Sequence, residues 1–337
     1  MRGRRFQTEP KPFALVKIPS EEPQRRKATT HERFQGFTGR LELVFTVESE
    51  YLFVGSGNYE FDPNARGDRP DVWHTFYRRN GQICIPGTSI KGAIRSIVEA
   101  ISNSCVSLSR EHEVRLTQLD KSHRERCNSL ETACPACRLF GFTGLRGRIG
   151  FEDTFPIEQG NLQIVKIPEL WHHKPRKIRR LDKARRFYES KRFKAPADRK
   201  PEPKHWFVEA MPKDVRFQTI FHFENLSQAE LGLIFHALGW QASQKGFDHA
   251  FIPKLGGAKP RCFGAVRFEP KRLKLWRGSN WHALLHPEVI EGNALRRFIR
   301  DCLSACWQDA TLFHHQSWQT LVNGMKPTDG TCPGGVY

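Results

Sequence analysis

Residues 85–95, Ile85-Pro86-Gly87-Thr88-Ser89-Ile90-Lys91-Gly92-Ala93-Ile94-Arg95, decide how this chain is read. A short strand over residues 82–85 is broken by the Pro-Gly pair, and residues 90–101 then carry apolar side chains at helical spacing. Thr88 or Ser89 is the expected N-cap. Gly87 permits a close backbone turn. The free N–H groups of a first helical turn attract a phosphate. Lys91 adds charge there, with Arg95 one turn further on the same face. The segment reads as a phosphate-binding helix start; an ordinary capped helix is the plain alternative.

Working outward, residues 40–49 alternate apolar and polar side chains, as do residues 217–223, so both predict strands. Residues 50–80 are rich in Gly, Asn, Asp and Arg and read as a long functional loop. Residues 148–155 and 265–276 predict two more strands. Residues 227–239 predict a helix opened by a capping box, Ser227 with Glu230 three residues on. The order is strand, loop, short strand, helix, insertion, strand, insertion, strand, helix, glycine loop, strand. That is an α+β, ferredoxin-like split βαβ core over residues 36–276, a form that RNA-recognition domains use. Around it lie a basic arm (1–35), a cysteine-rich insertion (103–140), a basic thumb-like insertion (164–206) and a helical C-terminal extension (277–337).

Charge narrows the partners. Of 337 residues, 54 are Lys or Arg and 36 Asp or Glu, a formal net charge of +18. Such a surplus points to a polyanion, nucleic acid before a membrane surface. A hydrophobic content of 38% excludes whole-chain disorder. No run approaches the ~18 apolar residues of a transmembrane helix. No apolar stretch follows the basic N-terminus, which makes the cytoplasm the expected compartment.

Nine cysteines in such a chain argue against a disulfide framework. Cys84, Cys105, Cys262, Cys302, Cys306 and Cys332 read as packing thiols. Cys127, Cys134 and Cys137 are different, because Cys-x2-Cys sets two thiolates on one knuckle as tetrahedral zinc requires. His123 is the expected fourth ligand of a closed, structural site, with Cys105 or His112 as replacements. The pairs His172-His173 and His314-His315 read as surface or packing residues.

A second glycine-basic loop, LGGAKPRCFG at residues 255–264, precedes the last strand; Lys259 and Arg261 supply its charge. With IPGTSIKGAIR at 85–95 and CPACRLFGFTGLRGRIGFED at 134–153, the stretch KLGGAKPRCFGAVRF at 254–268 resembles the signatures of the RAMP superfamily of CRISPR-associated proteins. The likeness is greatest to the guide-RNA-binding backbone subunit of type III effector complexes and spans roughly residues 40–268.

The resemblance implies a modified RNA-recognition fold. It implies that Ser89, Lys91, Arg95, Gly257, Lys259 and Arg261 contact guide phosphates. The basic insertion, with Arg179, Arg180, Arg185 and Arg186 among its cations and Phe187, Tyr188, Phe193 and Trp206 interleaved, would act as a thumb. Family members carry a target-cleaving aspartate in the loop after the first strand; Asp71 is the expected counterpart and Asp68 the runner-up, with His74 and Arg78 nearby. Cleavage there would draw on Mg or another divalent cation. Implied partners are guide RNA, target RNA and other effector subunits: neighbouring RAMP backbone subunits, a large polymerase-like subunit and a small subunit. Two alternatives stay open: a stand-alone or guide-processing endoribonuclease, and a non-CRISPR zinc-containing RNA-binding protein.

Overall fold

The structure, a computed structural model, describes residues 12–106, 121–158, 160–169, 183–196, 198–277 and 285–334. Along the chain, Phe13–Lys17 forms β1, Phe37–Val47 β2, Gly55–Phe61 β3, Val72–Phe76 β4 and Gly87–Ile101 helix α1. Then come α2 (Pro135–Phe140), β5 (Ile149–Phe151), β6 (Gln163–Pro168), β7 (Ala184–Tyr188), β8 (His205–Pro212) and β9 (Arg216–Leu226). Helix α3 (Gln228–Ala237), β10 (Val266–Trp276), β11 (Glu288–Glu291), α4 (Gly292–Gln308) and α5 (His315–Met325) complete it.

The central sheet has the order β5-β9-β2-β10-β11 and is antiparallel throughout. Because β9 lies between β2 and β5, the unit β2-α1-β5 is a split βαβ, and β9-α3-β10 repeats the pattern. This is the expected α+β, ferredoxin-like core. Period-two alternation drives it: Leu41, Leu43, Phe45 and Val47 of β2 are fully buried, as are Phe217 and Phe221 of β9 and Val266 and Phe268 of β10. Each such side chain contributes roughly 1.5–3 kcal/mol on burial. Phe45 sits between Phe217 and Phe268, each 5.2 Å away between ring centroids. Helix α1 lays Ile90, Ile94, Ile97, Val98 and Ile101 on the same core.

The capping box of α3 forms as expected, and Glu230 has a second task. Its carboxylate also accepts from the buried guanidinium of Arg148, at 2.7 and 3.1 Å, while Arg148 donates to the carbonyls of Arg138 and Asn225. A buried charge is tolerated when it is paired and fully hydrogen-bonded in this way.

Four expectations need correction. The stretch 50–80 is not simply a loop: β3 and β4 pair antiparallel, with Tyr59 opposite His74 and Phe61 opposite Val72. Its glycines and asparagines mask the aromatic alternation. The pair joins a second sheet, β6-β8-β4-β3, over a smaller apolar cluster of Val165, Ile167, Val208, Ala210, Ala258 and Phe263. Part of the N-terminal arm is built in, since β1 pairs with β7 in register 13–17 to 188–184. The basic insertion likewise does not lie wholly around the core, because Phe187 enters it. Finally, Cys262 and Cys332 form a disulfide rather than packing as free thiols. The C-terminal extension packs α4 against α3 and buries Leu295, Ile299, Cys302, Leu303 and Cys306. His314 caps α5, accepting from Ser317 N–H. Among the described residues no helix is long and apolar enough to cross a membrane.

Candidate nucleic-acid interface and metal centre

Helix α1 begins at Gly87, three residues earlier than expected, and neither Thr88 nor Ser89 caps it. The carboxylate of Asp153 does so, accepting from Gly87 N–H at 2.8 Å while also holding Arg79. That donated N–H and Arg79 keep Asp153 below the usual carboxylate range. Gly87 is glycine for lack of room: a Cβ there would fall 1.9 Å from the carbonyl oxygen of Phe151. The first-turn N–H of Ser89 bonds to Pro86 O. An anion at this helix start is thus already present, as a carboxylate, and a phosphate would be repelled.

One turn on, the picture inverts. Lys91 is half-buried and pairs with no carboxylate among the described residues. Burial, then the neighbouring Arg95 and Arg146, pull its ammonium below the ordinary lysine range. Gly147 is glycine because a Cβ there would fall 2.5 Å from the Phe140 carbonyl oxygen, and that same position lies 3.0 Å from Lys91 Nζ, so the glycine backbone runs beside the charge. Arg146 is exposed and shares Glu224 with His31. Arg95, by contrast, is committed to Glu99 at 2.8 Å.

The second glycine loop is closed where it was expected to be open. Gly257 donates its N–H to Phe53 O at 2.7 Å. Arg261 is wholly buried and donates to the carbonyls of Pro168, Glu169 and Pro333. It clamps the end of β6 to the C-terminal tail and does not face solvent, which corrects its reading as a phosphate contact. Lys259 is half-buried, and desolvation lowers its pKa. Arg185 is corrected likewise: it pairs with buried Glu99 at 2.9 Å. Arg186 lies over the Phe13 ring, 5.1 Å from its centroid. Arg179, Arg180, His172 and His173 lie outside the described residues, as does His112.

The metal centre differs from the expectation in one ligand. The thiols of Cys105, Cys127, Cys134 and Cys137 lie within 4.8 Å of one another, all buried. Cys105 Sγ is 3.6 Å from both Cys134 and Cys137. Four sulfurs at ~2.3 Å around one tetrahedral zinc would stand roughly 3.8 Å apart, so the set fits. His123 turns its Nε2 to Asn103 Oδ1 at 2.9 Å, and Cys105, delivered by the end of α1, takes the place given to it. Arg25 Nη1 and Cys134 N–H both donate to Cys127 Sγ, at 3.0 and 3.2 Å, the kind of support a thiolate ligand needs. Without a cation the four sulfurs conflict: hydrogen bonds from its neighbours hold Cys134 well below the usual thiol range, while Cys105 and Cys137 are pushed up.

Asp71 is exposed and lines a groove of about 330 Å³ with Tyr59, His74, Glu202, His205 and Trp206. Asp68 is exposed on the adjoining loop, outside that lining. Arg78 cannot assist, because Glu209 binds it in a fork at 2.8 and 3.0 Å. Sequence reading missed Asp153, Arg146, Arg25 and Tyr59. Asp153 and Arg146 lie within the motif 134–153, so the signal was present; Arg25 and Tyr59 lie in stretches read as irregular.

A split-βαβ sheet thus carries a four-thiol knuckle and a lysine, Lys91, beside glycines and without a carboxylate partner among the described residues, in an α+β protein. The sequence profile of the RAMP superfamily matches residues 44–267, and the chain belongs to that superfamily. No curated protein sequence matches it significantly. Among solved structures, it is similar to a chain of "Cryo-EM structure of the Type III-B Cmr-beta bound to cognate target RNA", at 14% identity and a TM-score of 0.36. The match covers 71% of this chain and 61% of that one, so the chain spans about three-fifths of that relative's length.

Proposed function

We propose that this protein is a guide-RNA-binding backbone subunit of a type III CRISPR effector, holding guide and target RNA beside neighbouring subunits. The observation that carries the reading is Lys91: a half-buried ammonium crowded by Arg95 and Arg146, with no carboxylate partner among the described residues. Arg95 and Arg146 keep their own partners, Glu99 and Glu224, yet still repel the Lys91 ammonium, and a phosphate beside Lys91 would offset that repulsion. Membership of the RAMP superfamily and the net charge of +18 support it.

In this reading Cys105, Cys127, Cys134 and Cys137 hold one structural zinc, which fixes the knuckle against α1 and takes no part in chemistry, since no coordination position is left for water. The groove at Asp71 supports a second activity, scission of bound RNA. His74 and His205 share that groove, so a carboxylate and two imidazoles stand where a 2′-hydroxyl could be steered or a divalent ion held.

The test is binding of a labelled single-stranded RNA across a salt series. Affinity should fall steeply with salt, because each neutralised phosphate releases counterions. An affinity that is flat in salt would remove the electrostatic basis of the proposal.

A further inference from the structure

The apolar face of the second sheet is covered at one end and bare at the other. Val208, Ala210, Val165 and Ile167 are buried under Phe263 and Ala258. Toward the outer strand the cover stops: Val72 is 47% exposed, Tyr59 62% and Phe61 72%. Exposed aromatics of this size forgo roughly 1.5–3 kcal/mol each of burial free energy, so two adjacent ones on an edge strand ask for an occupant. Their rings continue inward as a ladder. Tyr59 and His74 stand 4.3 Å apart between centroids, tilted by 40°, and His74 and Trp206 5.1 Å apart, tilted by 39°.

From this we infer a stacking subsite: the ring of Tyr59, backed by His74 and Trp206, takes one unpaired nucleobase of the bound RNA and sets that nucleotide beside Asp71. The inference rests on the RNA-binding reading above. Three observations favour a base over an aliphatic protein segment. The exposed platform is made chiefly of π-faces, and every base offers one in return at little conformational cost. The groove walls carry Asp71 and His74, which can meet base or ribose polar atoms and would be poorly served by an apolar partner, beside Glu202 and His205, which Lys166 and each other already hold. One wall continues into exposed Arg199, Lys200 and Lys204, which can accompany the flanking phosphates, whereas the opposite loop carries Asp62, Asp68 and Asp71. That asymmetry gives the strand a direction of approach, with its backbone on the 199–204 side.

The experiment compares two oligomers of equal length, single-stranded RNA containing 2-aminopurine and a fully abasic strand, against the full chain, Tyr59→Ala and Tyr59→Phe. The parent should bind the base-bearing strand more tightly than the abasic one and quench the 2-aminopurine. Tyr59→Ala should lose about tenfold in affinity for the base-bearing strand, a typical loss for one stacked base, together with the quenching, and leave the abasic strand unaffected. Tyr59→Phe should restore both, because the ring rather than the hydroxyl does the stacking. If the parent binds both strands equally and Tyr59→Ala changes nothing, the subsite is wrong while RNA binding stands. If the parent binds neither strand, the RNA-binding reading falls and takes the subsite with it. If Tyr59→Ala only abolishes self-association, the bare face is a contact between copies, and the subsite is overturned.

Discussion

Arg261 and Lys91 each follow a glycine by four residues, Gly257 and Gly87, in segments of similar composition. Arg261 is sealed, its guanidinium donating to the carbonyls of Pro168, Glu169 and Pro333, which ties β6 to the C-terminal tail. Lys91 keeps its charge among other cations. The glycines supply a turn in both places; what separates the clamp from the lysine we propose as a phosphate site is the availability of acceptors already inside the protein. For Arg261 these are carbonyls at the end of a strand and in a tail 72 residues further along the chain. Around α1 the carboxylates are committed elsewhere, Glu99 to Arg95 and Arg185, Asp153 to Gly87 and Arg79.

The largest expected effect would break the first region and spare the second. The cysteine centre underlies α1: Cys137 Sγ lies 4.0 Å from Arg95 Nη2, and the Phe140 ring carries the Arg95 guanidinium at 5.8 Å. If zinc ties these sulfurs, Cys137→Ser should abolish metal binding and cost several kcal/mol, on the order expected when site formation is folding. Elemental analysis of chelator-free protein with denaturant unfolding of the variant checks it, and thiol titration should find Cys262–Cys332 still bridged. Protein without zinc, and a variant with an unchanged midpoint, would remove the metal centre.

Next in size, Arg261→Ala should destabilise by about 3 kcal/mol or more, since each orphaned buried acceptor costs roughly 1–3 kcal/mol. RNA affinity of the folded variant should be nearly unchanged, which separates a clamp from a phosphate contact. Cys332→Ser removes the other anchor of the same tail and should cost about 2–4 kcal/mol. Because both anchors hold one segment, the double variant should lose less than the two losses added together. Additive losses in denaturant unfolding would mean the anchors act independently.

Lys254 sharpens the contrast at the start of the second segment. Its ammonium is buried without a hydrogen-bond partner among the described residues, and burial brings its pKa down to about 7. An unfolded lysine titrates near ~10.4. Between those values the unfolded chain binds more protons, so stability rises as pH climbs from about 7 toward ~10.4 and that gain is lost as pH falls back through about 7. Lys254→Met should flatten this slope and raise stability at neutral pH by a few kcal/mol. Equal slopes in the two proteins would show that the buried amine is solvated.

How much of this was legible in the sequence depends on whether the deciding partner was local. Strands β2, β9 and β10 and helix α3 were readable because alternation and the Ser227–Glu230 box are written within a few residues. The strands of residues 55–76 were not, since Gly55, Gly57 and Asn58 dilute the pattern and pairing with β8 is what stabilises them. Three of the four thiols share one short motif and were readable as a set. Cys105 stands twenty-two residues before Cys127 in the sequence and joins them only because α1 ends where it does. The roles of Arg261, Arg185 and Asp153 were hidden for the same reason, their partners being tertiary.

The smallest effect in free energy is the most diagnostic for function. Lys91→Ala removes a cation that has no ion pair to break among the described residues, so denaturant unfolding should move by no more than about 0.5 kcal/mol in either direction. Any gain would be informative, because it would measure the repulsion from Arg95 and Arg146 that the substitution relieves. RNA binding should weaken whatever the base sequence, and the slope of log affinity against log salt should shrink by about 0.7–0.9, the contribution of one phosphate. Lys91→Arg keeps the charge and should keep the slope, while Lys259→Ala asks whether the second loop contributes a phosphate contact of its own. The pH dependence adds a check on the mechanism. Lys91 is pulled below the ordinary lysine range when free, and a bound phosphate would favour its protonated form. RNA affinity should therefore fall as pH rises through that lowered value, and the fall should be missing in Lys91→Ala. A slope and a pH profile both unchanged by Lys91→Ala would place the polyanion on another face, and the contrast between the two glycine segments would then concern stability alone.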